Sequence, residues 1–262
     1  MVALNLAGSA RRACRTGPRP TVRWHSHRVV TYLLCLALAL AVPAALAAPA
    51  FEDTMAQRML ACSACHGKEG RAGPDYPRIA GKPAGYLYNQ LLNFRDGRRH
   101  YGLMARLLVP LSDGYLLEIA GHFASLDLPY PAPRPPDAPA ALLERGEAVV
   151  RRGDAAAGLP PCTECHGERL TGVAPNIPGL LGLPRDYLNA QLGAWRAGQR
   201  QAHAPDCMAQ IARRLRAADV TAATAWLAAQ PVPSDATPAP SLPRPPSIAC
   251  GSAALPAGRP RP

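Results

Sequence analysis

Cys62-Ser-Ala-Cys65-His66-Gly67 and Cys162-Thr-Glu-Cys165-His166-Gly167 stand 100 residues apart in a chain of 262. The match continues outward from both strings. Pro77, Gly81, Tyr86, Gln90, Leu91, Phe94 and Gly97 meet Pro178, Gly182, Tyr187, Gln191, Leu192, Trp195 and Gly198 at an offset of 101, and Met104 and Phe123 meet Met208 and Leu227 at 104. Offsets that grow by one residue and then by three place the insertions in loops, so the chain contains two copies of one domain.

Within each copy the apolar spacing is helical. Phe51, Met55 and Met59 recur every fourth residue, with Glu52 and Asp53 where the helix dipole favours acids. Pro83 and Pro184 sit where a helix starts without wasting a donor, and Gly97 and Gly198 where one ends. Tyr86, Gln90, Leu91 and Phe94 share one face between them. A last helix is predicted after Ser112-Asp113, with Leu116, Ile119, Ala120 and Phe123 inward, and its partner from Arg216 to Gln230. No segment alternates with period two, so the expected fold class is all-α, two tandem helical domains of about 80–90 residues. A domain of that size gains useful core from a buried prosthetic group.

The flanks bound these copies. Residues 1 to 28 carry six arginines and no acid, an apolar run follows from Val29 to Val42, and Ala45-Leu46-Ala47 offers a small-residue cleavage site. That order predicts a secretory signal peptide over residues 1–47, and so export. The run is shorter than the roughly 20 residues a membrane span needs. The first domain is then expected over 48–127, a Pro-rich linker over 128–137, and the second domain over 138–230. With ten prolines in the last 32 residues and little to bury, residues 231–262 read as a disordered tail. Removing the leader lowers the Lys and Arg count from 29 to 23 against 18 acids, a net charge of +5. A nucleic-acid partner loses its appeal at that charge, while peripheral membrane association stays compatible with it.

Cys-x-x-Cys-His supplies two thiols to the two vinyl groups of one porphyrin and an adjacent imidazole to its iron, which is covalent c-type haem attachment. Two such strings in register imply two covalently bound haem c groups, on Cys62 and Cys65 with His66, and on Cys162 and Cys165 with His166. A zinc site built from paired Cys-x-x-Cys strings would bring them within roughly 15–20 residues. A thioredoxin-like pair has no use for the histidine. Each copy holds one methionine downstream of its motif, Met104 and Met208, at equivalent positions. A soft thioether as sixth ligand raises the potential of a haem iron. His100, His203 and His122 are the rival sixth ligands. A ligating imidazole normally donates its other N–H to a carbonyl, and the backbone near Pro77 and Pro178 is the candidate acceptor. Tyr86, Phe94, Tyr187 and Trp195 are expected against the porphyrins.

The strings Ala61 to Gly67, Pro77-Arg-Ile-Ala-Gly81, Tyr86 to Leu91, Phe94-Arg-Asp-Gly97 and Met104, with Gly146 to Val150, Cys162 to Gly167, Tyr187 to Leu192 and Met208, resemble the cytochrome c4 family across residues 50 to 230. The resemblance implies two cytochrome c folds about a pseudo-twofold axis, with haems close enough for internal electron transfer. It also implies a periplasmic carrier, not an enzyme, passing electrons from a quinol-oxidising complex toward a terminal oxidase. Six-coordinate irons leave no position open to substrate. The alternatives are the cytochrome subunit of a periplasmic dehydrogenase and, less favoured, a dihaem peroxidase. Arg98 and Arg99 are candidate docking charges, with ordinary solvated charge as the equal alternative. Two features depart from the family pattern: the tail, and Cys207 beside Met208. Cys207 and Cys250 are read as free thiols or a partner contact in preference to a disulfide holding the tail near the second haem.

Overall fold

A computed structural model describes residues 29–33, 54–72, 76–133 and 138–253. The chain divides into two compact units, Met1–Glu52 and Asp53–Pro262. Of the first unit only residues 29–33 are described, and they are helical. The rest of the expected signal peptide, and Glu52 and Asp53, lie outside the described residues. The second unit contains both copies.

In the first copy Thr54 accepts a hydrogen bond from the Gln57 N–H and starts α1 (Met55–Arg58), which runs with one residue between into α2 (Leu60–His66). After a 3-10 turn over Lys68–Gly70 come α3 (Ala84–Arg95), α4 (Gly102–Leu108) and α5 (Asp113–Ala124). Pro83 sits at the N-cap of α3, and the Ser112 hydroxyl accepts from the Tyr115 N–H to cap α5. α3 packs on α5. Their inward residues Leu87, Leu92, Leu116, Ile119 and Phe123 are buried together with Met59.

The second copy repeats the order with α6 (Ala140–Arg152), α7 (Cys162–His166), α8 (Arg185–Arg196), α9 (Cys207–Arg214) and α10 (Ala217–Ala229). α10 packs on both α6 and α8. The crossing with α6 is tight because Gly146 has no side chain: a Cβ there would stand 2.2 Å from the Ala222 carbonyl oxygen. Val149, Val150, Leu188, Trp226 and Leu227 form the core around it.

The all-α expectation holds for every long element. One antiparallel pair was not foreseen, β1 (Gly172–Val173) against β2 (Ile177–Pro178), because two residues per strand are too few to show a period. The expected linker is fastened over its described part: Arg78 donates to the Leu128 and Pro129 carbonyls and lies 3.9 Å over the Tyr130 ring.

The disordered tail is a correction for residues 231–253. Ala239 pairs in parallel with Val173, the Arg169 guanidinium binds the Asp235 carboxylate at 3.1 Å, and Cys250 is disulfide-bonded to Cys207. Composition alone missed this because a covalent crosslink over 43 residues lowers the entropy of the unfolded chain without adding apolar residues. The preference for free thiols is corrected with it. Residues 254–262 lie outside the described residues.

Candidate functional site

A helix turn places residues three apart on one face, so α2 and α7 each present both thiols of their motif to the same side. Each helix ends at its histidine, and Gly67 and Gly167, at φ 75 and 83, turn the chain away in a conformation that a side chain would strain. His66 Nδ1 lies 2.8 Å from the Pro77 carbonyl oxygen, and His166 Nδ1 lies 2.8 Å from that of Pro178. A carbonyl only accepts, so Nδ1 carries the proton and Nε2 keeps its lone pair for a metal. Burial holds both imidazoles below the usual histidine range and favours that neutral form.

Burial also pushes the Cys62 and Cys165 thiols up, and Cys162 to about 12. These are neutral sulfurs in an apolar setting, unlike the thiolates of a zinc centre. Met104 and Met208, each in the first turn of its helix (α4 and α9), line a cavity of about 1510 Å³ with the cysteines and histidines of both motifs. The structure thus gathers all eight expected residues around one connected space. Tyr86, Phe94, Tyr187 and Trp195 line it too.

Of the rival ligands, His100 is exposed, with its peptide N–H on the Gln199 carbonyl. His203 lies beneath the tail, with its peptide N–H on the Ser252 hydroxyl. His122, in the last turn of α5, stacks edge-on against Phe123.

The seam between the copies was not legible. Arg99 and Arg200 pair across it as an isolated antiparallel bridge. Arg99 donates to Gln90, Gln191 and Tyr187, and Arg200 donates to Gln191 and Gln90. Arg99 also stacks on Phe94 at 4.4 Å and Arg200 on Trp195 at 3.8 Å. Arg99 is therefore a seam residue and no docking charge, while Arg98 is tied to Asp96 and Asn93. The signal that could have revealed the seam was the shared offset of 101 for Tyr86, Gln90 and Arg99. Burial and the neighbouring Arg99 push Arg200 below the usual arginine range. Among the described residues neither guanidinium meets a carboxylate, and the buried Trp195 indole N–H finds no acceptor. Buried donors without acceptors are costly. Haem propionates would supply both the charge and the acceptors, so the residues present fit the group.

Two helices carrying Cys-x-x-Cys-His, each with a carbonyl-tethered histidine, and one methionine of each copy lining the same cavity define a two-domain cytochrome c. No family model matches the chain. It is 39% identical over 189 residues to the thiosulfate dehydrogenase electron acceptor of Thiomonas intermedia, covering 71% of this chain and 86% of that protein. It is 35% identical over 169 residues to cytochrome c4 of Pseudomonas aeruginosa, covering 63% of this chain and 82% of that one. The crystal structure of reduced cytochrome c4 from Pseudomonas stutzeri superimposes with a TM-score of 0.57 at 30% identity, over 66% of this chain and 94% of that one. The chain belongs to the cytochrome c4 family, and is an electron carrier with two covalently attached haem c groups. No helix among the described residues is long and apolar enough to cross a membrane.

Proposed function

We propose that this chain shuttles single electrons between periplasmic redox proteins, after export on a leader over residues 1–47. Cys62 and Cys65 would attach one haem, with His66 and Met104 as its ligands, and Cys162 and Cys165 the other, with His166 and Met208. The haem irons supply one-electron chemistry, and the chain supplies attachment, ligation and a dry setting. The observation that carries the reading is the matched pair of 2.8 Å imidazole bonds to the Pro77 and Pro178 carbonyls, which fix the same tautomer in both copies. With a thioether as well as an imidazole in each copy, both irons would be closed to substrate, as carriage needs.

The assignment is tested by the haem-to-protein ratio of the denatured, reduced pigment, together with the near-infrared methionine charge-transfer band. A ratio of two with the band present is expected. A ratio of one, or no band, overturns it.

Two donors suit this carrier. A quinol-oxidising complex feeding a terminal oxidase is the respiratory reading. A dehydrogenase is the second, and the relative named as an electron acceptor of thiosulfate dehydrogenase favours it. Mixing the oxidised protein with thiosulfate dehydrogenase and thiosulfate decides between them: rapid appearance of the reduced haem spectrum supports the dehydrogenase, and reduction only by a quinol-oxidising complex supports the respiratory chain.

A further inference from the structure

The chain leaving the last helix takes different paths in the two copies. After α5 it turns into the linker, where Arg78 clasps Leu128 and Pro129. After α10 it runs back over its own domain. Arg169 binds Asp235, Thr171 donates to the Thr237 carbonyl, and Ala239 exchanges backbone bonds with Gly172 and Ala174 at 2.9 and 2.8 Å. The Ser247 N–H and hydroxyl then both donate to Glu164 at 2.6 Å. Three residues later Cys250 is bonded to Cys207, and the Gly251 N–H donates to the Pro205 carbonyl.

Those two anchors neighbour the two ligands proposed for the second haem. Glu164 stands between the attachment cysteines and two residues before His166, and Cys207 immediately precedes Met208. Three residues span at most about 11 Å. Residues 247–250 therefore bridge the attachment helix α7 and the methionine helix α9. Pro246, Ile248 and Cys250 accordingly line the same cavity as Cys165 and Met208. In the first copy Ala64 and Leu103 occupy the two anchor positions, and neither residue type can form these bonds. Leu103 is 48% exposed, Tyr101 47% and Val109 65%.

We propose that the tail is a fixed cover over the edge of the second haem, so that electrons enter and leave other proteins through the first copy alone. This rests on the carrier reading above. An electron on the second iron would then reach an outside protein only through the first iron, which that protein would reoxidise. Tunnelling falls steeply with separation, and a layer of chain over one edge is enough to select the other.

The full-length dihaem Met104→His variant tests this. Six ligands are kept, and the exchange of thioether for imidazole lowers the potential of the first haem, so a poised sample holds its electron on the second iron with the internal route uphill. Oxidation of that iron is followed with a basic ferric cytochrome c and with an acidic cupric plastocyanin, so that surface charge does not decide the result. The tail is opened in two independent ways: by Cys250→Ser with Glu164→Gln, or by phosphine reduction, alkylation and desalting of the unsubstituted cysteines. The near-infrared methionine band of the second haem reports that its domain remains folded. At least a tenfold faster oxidation by both proteins after opening is expected. Equal rates within twofold, open or closed, overturn the cover. In the native protein, failure of either oxidant to take electrons from any haem overturns the carrier reading itself.

Discussion

The two copies offer the same four proposed haem-holding groups and differ in what surrounds them. In the first, α1 leads almost directly into the attachment helix, and the methionine helix α4 is flanked by exposed Tyr101, Leu103 and Val109. In the second, nine residues separate α6 from α7, the methionine helix α9 begins at a disulfide, and two arginines hold the buried Asp219 at 2.7 Å each. Lys82 of the first copy is buried against the Gly179 carbonyl of the second, its amine pushed down to about 8 by burial and by Arg78, where the repeat partner is Leu183. Duplication supplied two equivalent irons, and the surroundings make them inequivalent.

The largest expected effect tests the equivalence itself. Met104→Ala and Met208→Ala should each remove half of the near-infrared methionine band. Each should also lower the potential of its own haem by some tenths of the roughly 0.8 V over which axial ligands act. A variant that keeps the full band shows that its methionine is no ligand and that the copies differ at the iron.

Core truncation sharpens the comparison next. Phe123→Ala should cost about 3–5 kcal/mol and Leu227→Ala about 2–5, from buried sites at equivalent positions. Trp195 and Trp226 both belong to the second copy, so their fluorescence follows that copy alone while Soret circular dichroism follows both. In chemical denaturation Phe123→Ala should move the Soret midpoint and leave the fluorescence midpoint in place. Coincident shifts would show that the copies unfold as one.

Acid should separate them more gently. Hydrogen bonds from Arg145 and Arg216 hold the Asp219 carboxyl down at about 2, against an ordinary 3.8. The folded state therefore binds this proton more weakly than the unfolded state. The stability it contributes is complete above pH 4 and is lost as pH falls toward 2. The first copy has Tyr115 at that position. Fluorescence-detected acid unfolding should steepen over that window, and Asp219→Asn should remove that part of the slope.

The smallest effect is at a cap. Ser112 caps α5 through the Tyr115 N–H at 3.2 Å, whereas Arg216 offers α10 no side-chain cap. Ser112→Ala should cost about 1 kcal/mol, read as a shift of the Soret midpoint with the fluorescence midpoint unmoved.

What was legible follows from where each constraint lies along the chain. The cysteines, histidines and methionines proposed for the haems could be named from the chain because attachment and ligation need fixed residue types at fixed spacings, and the repeat supplied the pairing. Ser112 and Pro83 announced their helices because capping is local. The Pro77 and Pro178 carbonyls were close to readable, lying 11 and 12 residues from their histidines. The seam of Arg99 and Arg200 was not, since its partners sit about one repeat away and guanidinium bonds to glutamine leave no pattern within a window. The tail was misread for a different reason: composition reports how much a segment can bury, and residues 231–253 are held by backbone pairing and a crosslink.

That crosslink also sets a problem of biosynthesis. Six cysteines follow residue 47, and of these Cys207 and Cys250 end as a disulfide. The other four must meet porphyrin vinyl groups as free thiols and, on the export proposed above, in a compartment that oxidises thiols readily. Cys207 lines the same cavity as Cys162 and Cys165, so a premature bond to either would block attachment of the second haem. Cys250 is the last of the six to be made. Maturation of this chain is thus a sorting of sulfurs, in which four are kept reduced until alkylated by haem while two are released to pair.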